Sequence, residues 1–195
     1  PAAIQDVLTN LLISKIELRT EESPDVKPYL HTRFVQEMPV KLEGPIVKAQ
    51  ELLKALINVP INWLQSQQAL YRTKRGDFFT FTRLEAARND FRNNPNMQRK
   101  DEFFKASVES RFATAMALYH GLRLITDYGL VPFKEWLNIQ TAKPLVEKTS
   151  NYFTELVRSR EWNALYRFIN EEIGDPAACK HPKMTKLESV VLDHF

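Results

Sequence analysis

One cysteine, five glycines and no uninterrupted apolar run of membrane-spanning length distinguish this 195-residue sequence first by what it lacks. The lone thiol, Cys179, permits no internal disulfide and no cysteine-rich zinc site, and it suits a reducing compartment. The glycines are scattered and none belongs to a G-x-x-x-x-G-K-S/T loop, which argues against ATP binding by these residues. A spanning helix needs about 18 or more consecutive apolar residues, and residues 1–14 have neither the basic start nor the unbroken apolar stretch of a signal peptide, so a membrane role has no support. His31, His120, His181 and His194 stand apart, without H-E-x-x-H spacing, and Cys179 with His181 finds no further ligand nearby, so no metal site is predicted. His120, inside a long helical pattern, reads as a hydrogen-bonded core histidine in preference to a buried catalytic base. The acidic pairs Glu21/Glu22, Asp101/Glu102 and Glu171/Glu172 are adjacent, diverge by about 100° on a helix, and read as solvated faces, not a two-carboxylate site.

What remains is 44% hydrophobic and 26% charged, an ordinary globular balance at a length that buries one sizeable core. Eleven prolines against five glycines suit a helical protein punctuated by prolines better than a sandwich of tight turns. Ile4, Val7, Leu8, Leu11 and Leu12 predict a short helix. Alternation over 13–19 and 32–42 predicts two strands, joined by a connector that Pro24 and Pro28 keep extended. Two strands alone make no stable sheet, so these need partners elsewhere, and unpaired edges would invite pairing between copies.

From Gly44 the period turns helical. Ile46, Ala49, Leu52, Leu53, Leu56 and Ile57 form one stripe, and Pro60 is expected to kink this helix or to start another that runs to about Lys74. Thr82 with Glu85 predicts a capping box for a helix ending before Pro95. The segment 101–128, with Phe104, Val108, Phe112, Ala115, Tyr119, Leu122 and Ile125 in step, predicts a central helix of about 42 Å closed by Gly129. Pro132 and Pro144 each suit a first helical turn. Phe133, Trp136 and Leu137 form an anchor cluster, Ser159 caps a helix carrying Trp162, Leu165, Phe168 and Ile169, and Pro182 opens a last amphipathic helix. The reading is a mainly α protein, an elongated helical bundle with a short β-containing N-terminal arm. Its parts are residues 1–43, a helical domain over 44–174, and 175–195.

The net charge of +3 conceals a local concentration. Between residues 72 and 100 lie Arg72, Lys74, Arg75, Arg83, Arg88, Arg92, Arg99 and Lys100 against Asp77, Glu85 and Asp90, so the remainder of the chain is slightly acidic. One basic segment is the arrangement that meets phosphate. A charged loop that aids solubility explains Arg72, Lys74 and Arg75 as simply, and surface pairing with Glu85 and Asp90 is the plain alternative for Arg88 and Arg92. Tyr71, Phe78, Phe79 and Phe81 beside these cations suit single-strand or junction stacking, or else anchor the core.

The segment NLLISKIELRTEESPDVKPYLHTR at 10–33 resembles the stretch after motif III in superfamily 2 helicases of the FANCM/Hef family. ARNDFRNNP at 87–95 and FATAMALYHGLRLI at 112–125 are similar to the helical insert of that family, and HPKMTKLESVVLDHF at 181–195 is similar to the first helix of its second RecA-like domain. The resemblance implies that 1–43 ends the first RecA-like domain and its crossover, that 44–174 is a thumb-like insert, and that 175–195 leads into the second RecA-like domain. It implies a nuclear parent that is an ATP-dependent translocase acting on forks and Holliday-type junctions in DNA repair. Its partners would be branched DNA, the flanking RecA-like domains and repair proteins. ATP and Mg would belong to the parent, since the Walker, DEAH-type and arginine-finger motifs lie outside these residues, and no catalytic residue is carried over. Two other readings stand beside it: the insert of an RNA-sensing or Dicer-type helicase, and an interaction scaffold that uses Trp136 and Trp162 as exposed anchors.

Overall fold

A computed structural model describes residues 2–31, 34–71, 80–146, 151–174 and 180–194. The chain divides into two compact units, Pro1–Pro39 and Val40–Phe195. The first holds α1 (Ala2–Asn10) and a 3-10 turn at Lys27–Tyr29, and none of its described residues is buried. The predicted strands do not form: 13–19 and the described part of 32–42 run without a ladder, and Ile16, Leu18, Phe34 and Val35 are all exposed. Alternation supplies only one side of a pairing, and a strand without a partner cannot satisfy its own amides. The β-containing arm is therefore corrected to an irregular segment.

Every regular element among the described residues of the second unit is a helix. In chain order its helices are α2 (Pro45–Ser66), α3 (Phe81–Asn93), α4 (Pro95–Gln98), α5 (Glu102–Tyr128), α6 (Leu130–Val146), α7 (Asn151–Val157), α8 (Arg160–Glu172) and α9 (Pro182–His194). Asp101 opens α5 by accepting from the Phe104 amide at 2.7 Å, and Gly129, at φ +93°, closes it. α5 packs against α2, α3, α6 and α7, and α8 closes over α2 and α6. The core follows the predicted stripes: Leu53, Leu56, Ile57 and Leu64 from α2, Val108, Phe112, Ala115, Leu118 and Ile125 from α5, and Phe133, Leu137, Trp162, Leu165 and Ile169 beyond them, all fully buried.

Three boundaries differ from the sequence reading. Pro60 does not start a new helix: it lies inside α2, its ring joining the buried stripe of Leu56, Ile57, Ile61 and Leu64, and the helix continues to Ser66 and stops short of Lys74. The cap of α3 is Thr80, not Thr82: its hydroxyl accepts from the Arg83 amide at 3.3 Å. Pro144 lies in the last turn of α6 and does not open a new helix. Ser159 caps α8 as expected, 3.1 Å from the Trp162 amide.

Close approach has one strict requirement in this bundle. A Cβ on Gly121 would sit 2.7 Å and 2.8 Å from the Trp136 indole and 3.2 Å from Phe133. Glycine here lets α5 lie directly on the aromatic face of α6. Two side-chain bonds cross-link the layers: Gln50 Nε2 donates to Thr126 Oγ1 at 2.8 Å, and the Trp162 indole N–H donates to Thr141 Oγ1 at 3.1 Å.

Candidate nucleic-acid interface

Arg88 and Arg92 stand four residues apart on α3, one turn along one stripe, and both reach across the seam to α5. Arg88 Nε donates to Glu109 Oε2 at 2.8 Å. Arg92 clamps the same carboxylate with Nε on Oε1 at 2.8 Å and an Nη2 on Oε2 at 2.7 Å. The partner is thus Glu109, twenty-one and seventeen positions away, and not Glu85 or Asp90 on the same helix. Burial pushes the Glu109 carboxyl up, but the hydrogen bonds from Arg92 and Arg88 and their charges outweigh it and hold the group below its ordinary value. The Glu109 hydrogen bond and charge raise the Arg92 guanidinium in turn. Two cations against one anion leave a net positive charge, presented by an Arg92 side chain that is 51% exposed. Glu109 holds both guanidiniums in fixed geometry.

Beyond Asn94, the single turn of α4 folds back so that Gln98 Nε2 donates to the Phe91 carbonyl. That bond keeps Arg99 and Lys100 beside the C-terminal end of α3. Both are exposed, and neither has a carboxylate partner among the described residues. Lys100 Nζ lies 5.9 Å from the Phe104 ring centroid. The corner of α3, α4 and α5 therefore gathers Arg88, Arg92, Arg99 and Lys100. Arg83 does not join them: nine positions before Arg92, at about 100° per residue, it points from roughly the opposite side of α3. Arg72, Lys74, Arg75, Phe78 and Phe79 lie outside the described residues. Tyr71 and Phe81 are about half exposed.

Several side chains escaped the sequence reading. Arg111, inside the α5 pattern, is sandwiched between Trp63 and Tyr152, its guanidinium carbon 3.8 Å and 4.3 Å from the ring centroids. Its Nη1 donates to the Ser107 carbonyl while its Nε, like the Tyr152 hydroxyl, is buried without a hydrogen-bond partner among the described residues. This cation is bound into the fold, so it does not add to the open corner. The histidines exchange roles. His120 is exposed, its ring edge-on to Trp136 at 6.4 Å, and so is neither a core histidine nor a buried base. His181 is the buried one, at 4% exposure. Its Nε2 lies 3.1 Å from the Thr126 carbonyl, its Nδ1 accepts from the Lys183 amide at 3.1 Å, and its ring covers Gly129. With the Lys183–Asp127 ion pair at 3.5 Å, it seats the start of α9 on the end of α5.

The exposed tryptophan anchors are also corrected. Trp162 is fully buried and Trp136 nearly so, because each fills a gap between helices. An interaction scaffold built on them loses its contact residues. Among the described residues no helix is long and apolar enough to cross a membrane.

No protein-family model matches the chain. Over 212 aligned residues it is 31% identical to the Fanconi anemia group M protein homolog of Mus musculus, an alignment spanning 99% of this chain and 10% of that protein. It is 29% identical to the ATP-dependent DNA helicase mph1 of Sclerotinia sclerotiorum, over 99% of the chain and 16% of the relative. The chain thus spans between a tenth and a sixth of the length of these relatives. The crystal structure of the Pyrococcus furiosus Hef helicase domain shares the fold, with a TM-score of 0.67 over the whole chain and 39% of that structure, at 20% identity.

Proposed function

We propose, from the premise that this chain belongs to the FANCM and Mph1 family of DNA helicases, that its helical unit grips branched DNA for an ATP-driven motor housed elsewhere in the same protein. The observation that carries this reading is the basic corner of α3, α4 and α5, where Arg92, Arg99 and Lys100 face solvent. The Sclerotinia sclerotiorum relative is named a DNA helicase, which favours this reading over a Dicer-type insert.

The grip works by charge and position, without a chemical step. Counterions released from the phosphates by Lys and Arg give an affinity that falls steeply with salt. A guanidinium oriented by Glu109 meets a phosphate with less ordering cost than a free one. In this reading residues 1–43 and 175–195 join the helical domain at 44–174 to RecA-like domains that hold ATP and Mg. The whole protein remodels forks and Holliday-type junctions in DNA repair in the nucleus, alongside other repair proteins. Arg72, Lys74 and Arg75 are assigned to the same DNA contact on their charge and their place in the basic segment of the sequence.

Fluorescence anisotropy with a model fork, linear duplex and single strand across a salt series tests the grip. The double variant Arg99→Glu/Lys100→Glu should bind the fork at least about tenfold more weakly, with the slope of log K against log salt shallower by about 2. Arg83→Glu, on the other side of α3, should change binding little. Reversal of Arg88 and Arg92 is the wrong variant, because it would crowd three carboxylates at the α3–α5 seam. Absence of fork binding at low salt, or full binding by the corner variant, would overturn the assignment.

A further inference from the structure

We infer that Phe103 is a stacking platform for an unpaired nucleobase at the branch point, set among the cations that hold the backbone. The inference rests on the DNA-grip reading and deepens it by naming the part of the substrate that the corner recognises.

At 83% exposure Phe103 is the most exposed large apolar side chain among the described residues of the helical unit. Its neighbour Phe104 follows the α5 stripe and packs against the core, so the register of the helix turns Phe103 outward. A solvated phenylalanine in the first turn of a helix gains nothing for the fold, because the capping there is done by Asp101. The charges around it are accounted for. Asp101 is engaged with the Phe104 amide, Glu102 pairs with Lys105, and Glu109 is taken by Arg88 and Arg92. Arg99 and Lys100, just before the turn, have no carboxylate partner among the described residues. A bare aromatic face three and four positions after two cations that lack a carboxylate partner among the described residues complements a base attached to a phosphodiester chain. The rings of paired bases are covered by their neighbours in a duplex, so such a face selects bases that are unstacked. A branch supplies them, and a continuous duplex does not.

The test uses the intact chain and a fork carrying 2-aminopurine in place of one unpaired base at the branch, with a fully paired duplex of the same sequence. The wild-type chain should quench the 2-aminopurine. Phe103→Ala should abolish the quench and weaken fork binding about tenfold, the size of one base stack, while duplex affinity stays within about twofold. Phe103→Trp should restore both signals and Phe103→Leu should not. Because the side chain is solvated, thermal midpoints should be unchanged, which separates stacking from a folding defect. Unchanged quenching and affinity in Phe103→Ala, or equal rescue by leucine, would overturn the platform, and the first result would point to a protein contact at this side chain. A wild-type chain that does not bind the fork would instead sink the grip reading on which this one depends.

Discussion

Glu109 carries more consequence than any single cation of the corner. It sits under two guanidiniums, and its ionised form is favoured in the folded protein. A carboxyl held below its unfolded value stabilises the fold above the ordinary glutamate range, and that stabilisation is lost as pH falls through the lowered value. The wild-type chain should therefore lose stability as the pH drops below about 4.5, and Glu109→Gln should flatten that part of the profile. At pH 7 the variant should be less stable by about 1 kcal/mol, a value reduced for the partial exposure of the pair. Urea unfolding of both proteins between pH 3 and pH 7 measures this. Parallel profiles would mean that the two arginines do not hold the carboxylate in solution. Glu109 also shows what a sequence withholds at this scale. The four-residue spacing of Arg88 and Arg92 announced a shared stripe, but their partner lies on another helix, and only packing brings it within reach.

Between elements, the tightest demand falls where α5 crosses α6. Alanine normally favours a helix over glycine by about 1 kcal/mol. At position 121 the added methyl would meet the rigid indole of Trp136 at 2.7 Å and Phe133 at 3.2 Å, so overpacking outweighs propensity. Gly121→Ala should lower the unfolding free energy by about 1–2 kcal/mol in chemical denaturation. A stabilised variant would show that α5 and α6 can separate at no cost. The seat of α9 works by different means. His181 accepts from the Lys183 amide and lies against the Thr126 carbonyl, while Gly129 makes room for its ring. Nothing in HPKMTK distinguishes that histidine from an exposed one, because its burial depends on a turn more than fifty positions earlier. The capping residues were easier to read. Ser159 and Gly129 act within three or four residues of themselves, whereas the cap of α3 was displaced by two because Thr80 and Thr82 offer the same hydroxyl.

Every residue buried in the described structure, from Ile46 to His181, belongs to the second unit. The first unit contributes a short helix and an irregular segment with its apolar side chains in solvent. Deletion of residues 1–39 should therefore move the thermal midpoint of the remainder by no more than about 2 °C, less than the shift that 1 kcal/mol produces at this size. A larger drop would mean that the N-terminal segment stabilises the helical unit. The same division explains the failed strands. Alternation at 13–19 and 32–42 is a local pattern, but a sheet is a pairing of distant backbones, and the described residues provide no such pairing there.

The sequence by itself determined the helical class, the stripes of α2, α5 and α8, the termini at Asp101, Gly129, Ser159 and Pro182, and the basic character of residues 72–100. All of these arise from interactions within one or two turns of chain or from composition. The tertiary structure alone decided that Arg88 and Arg92 share Glu109, that Trp136 and Trp162 are interior, that His181 and not His120 is buried, and that Phe103 stands bare. Each of those outcomes depends on which helix lies beside which, and the free energy that chooses a neighbour comes from apolar area and polar groups contributed by residues far apart in the chain.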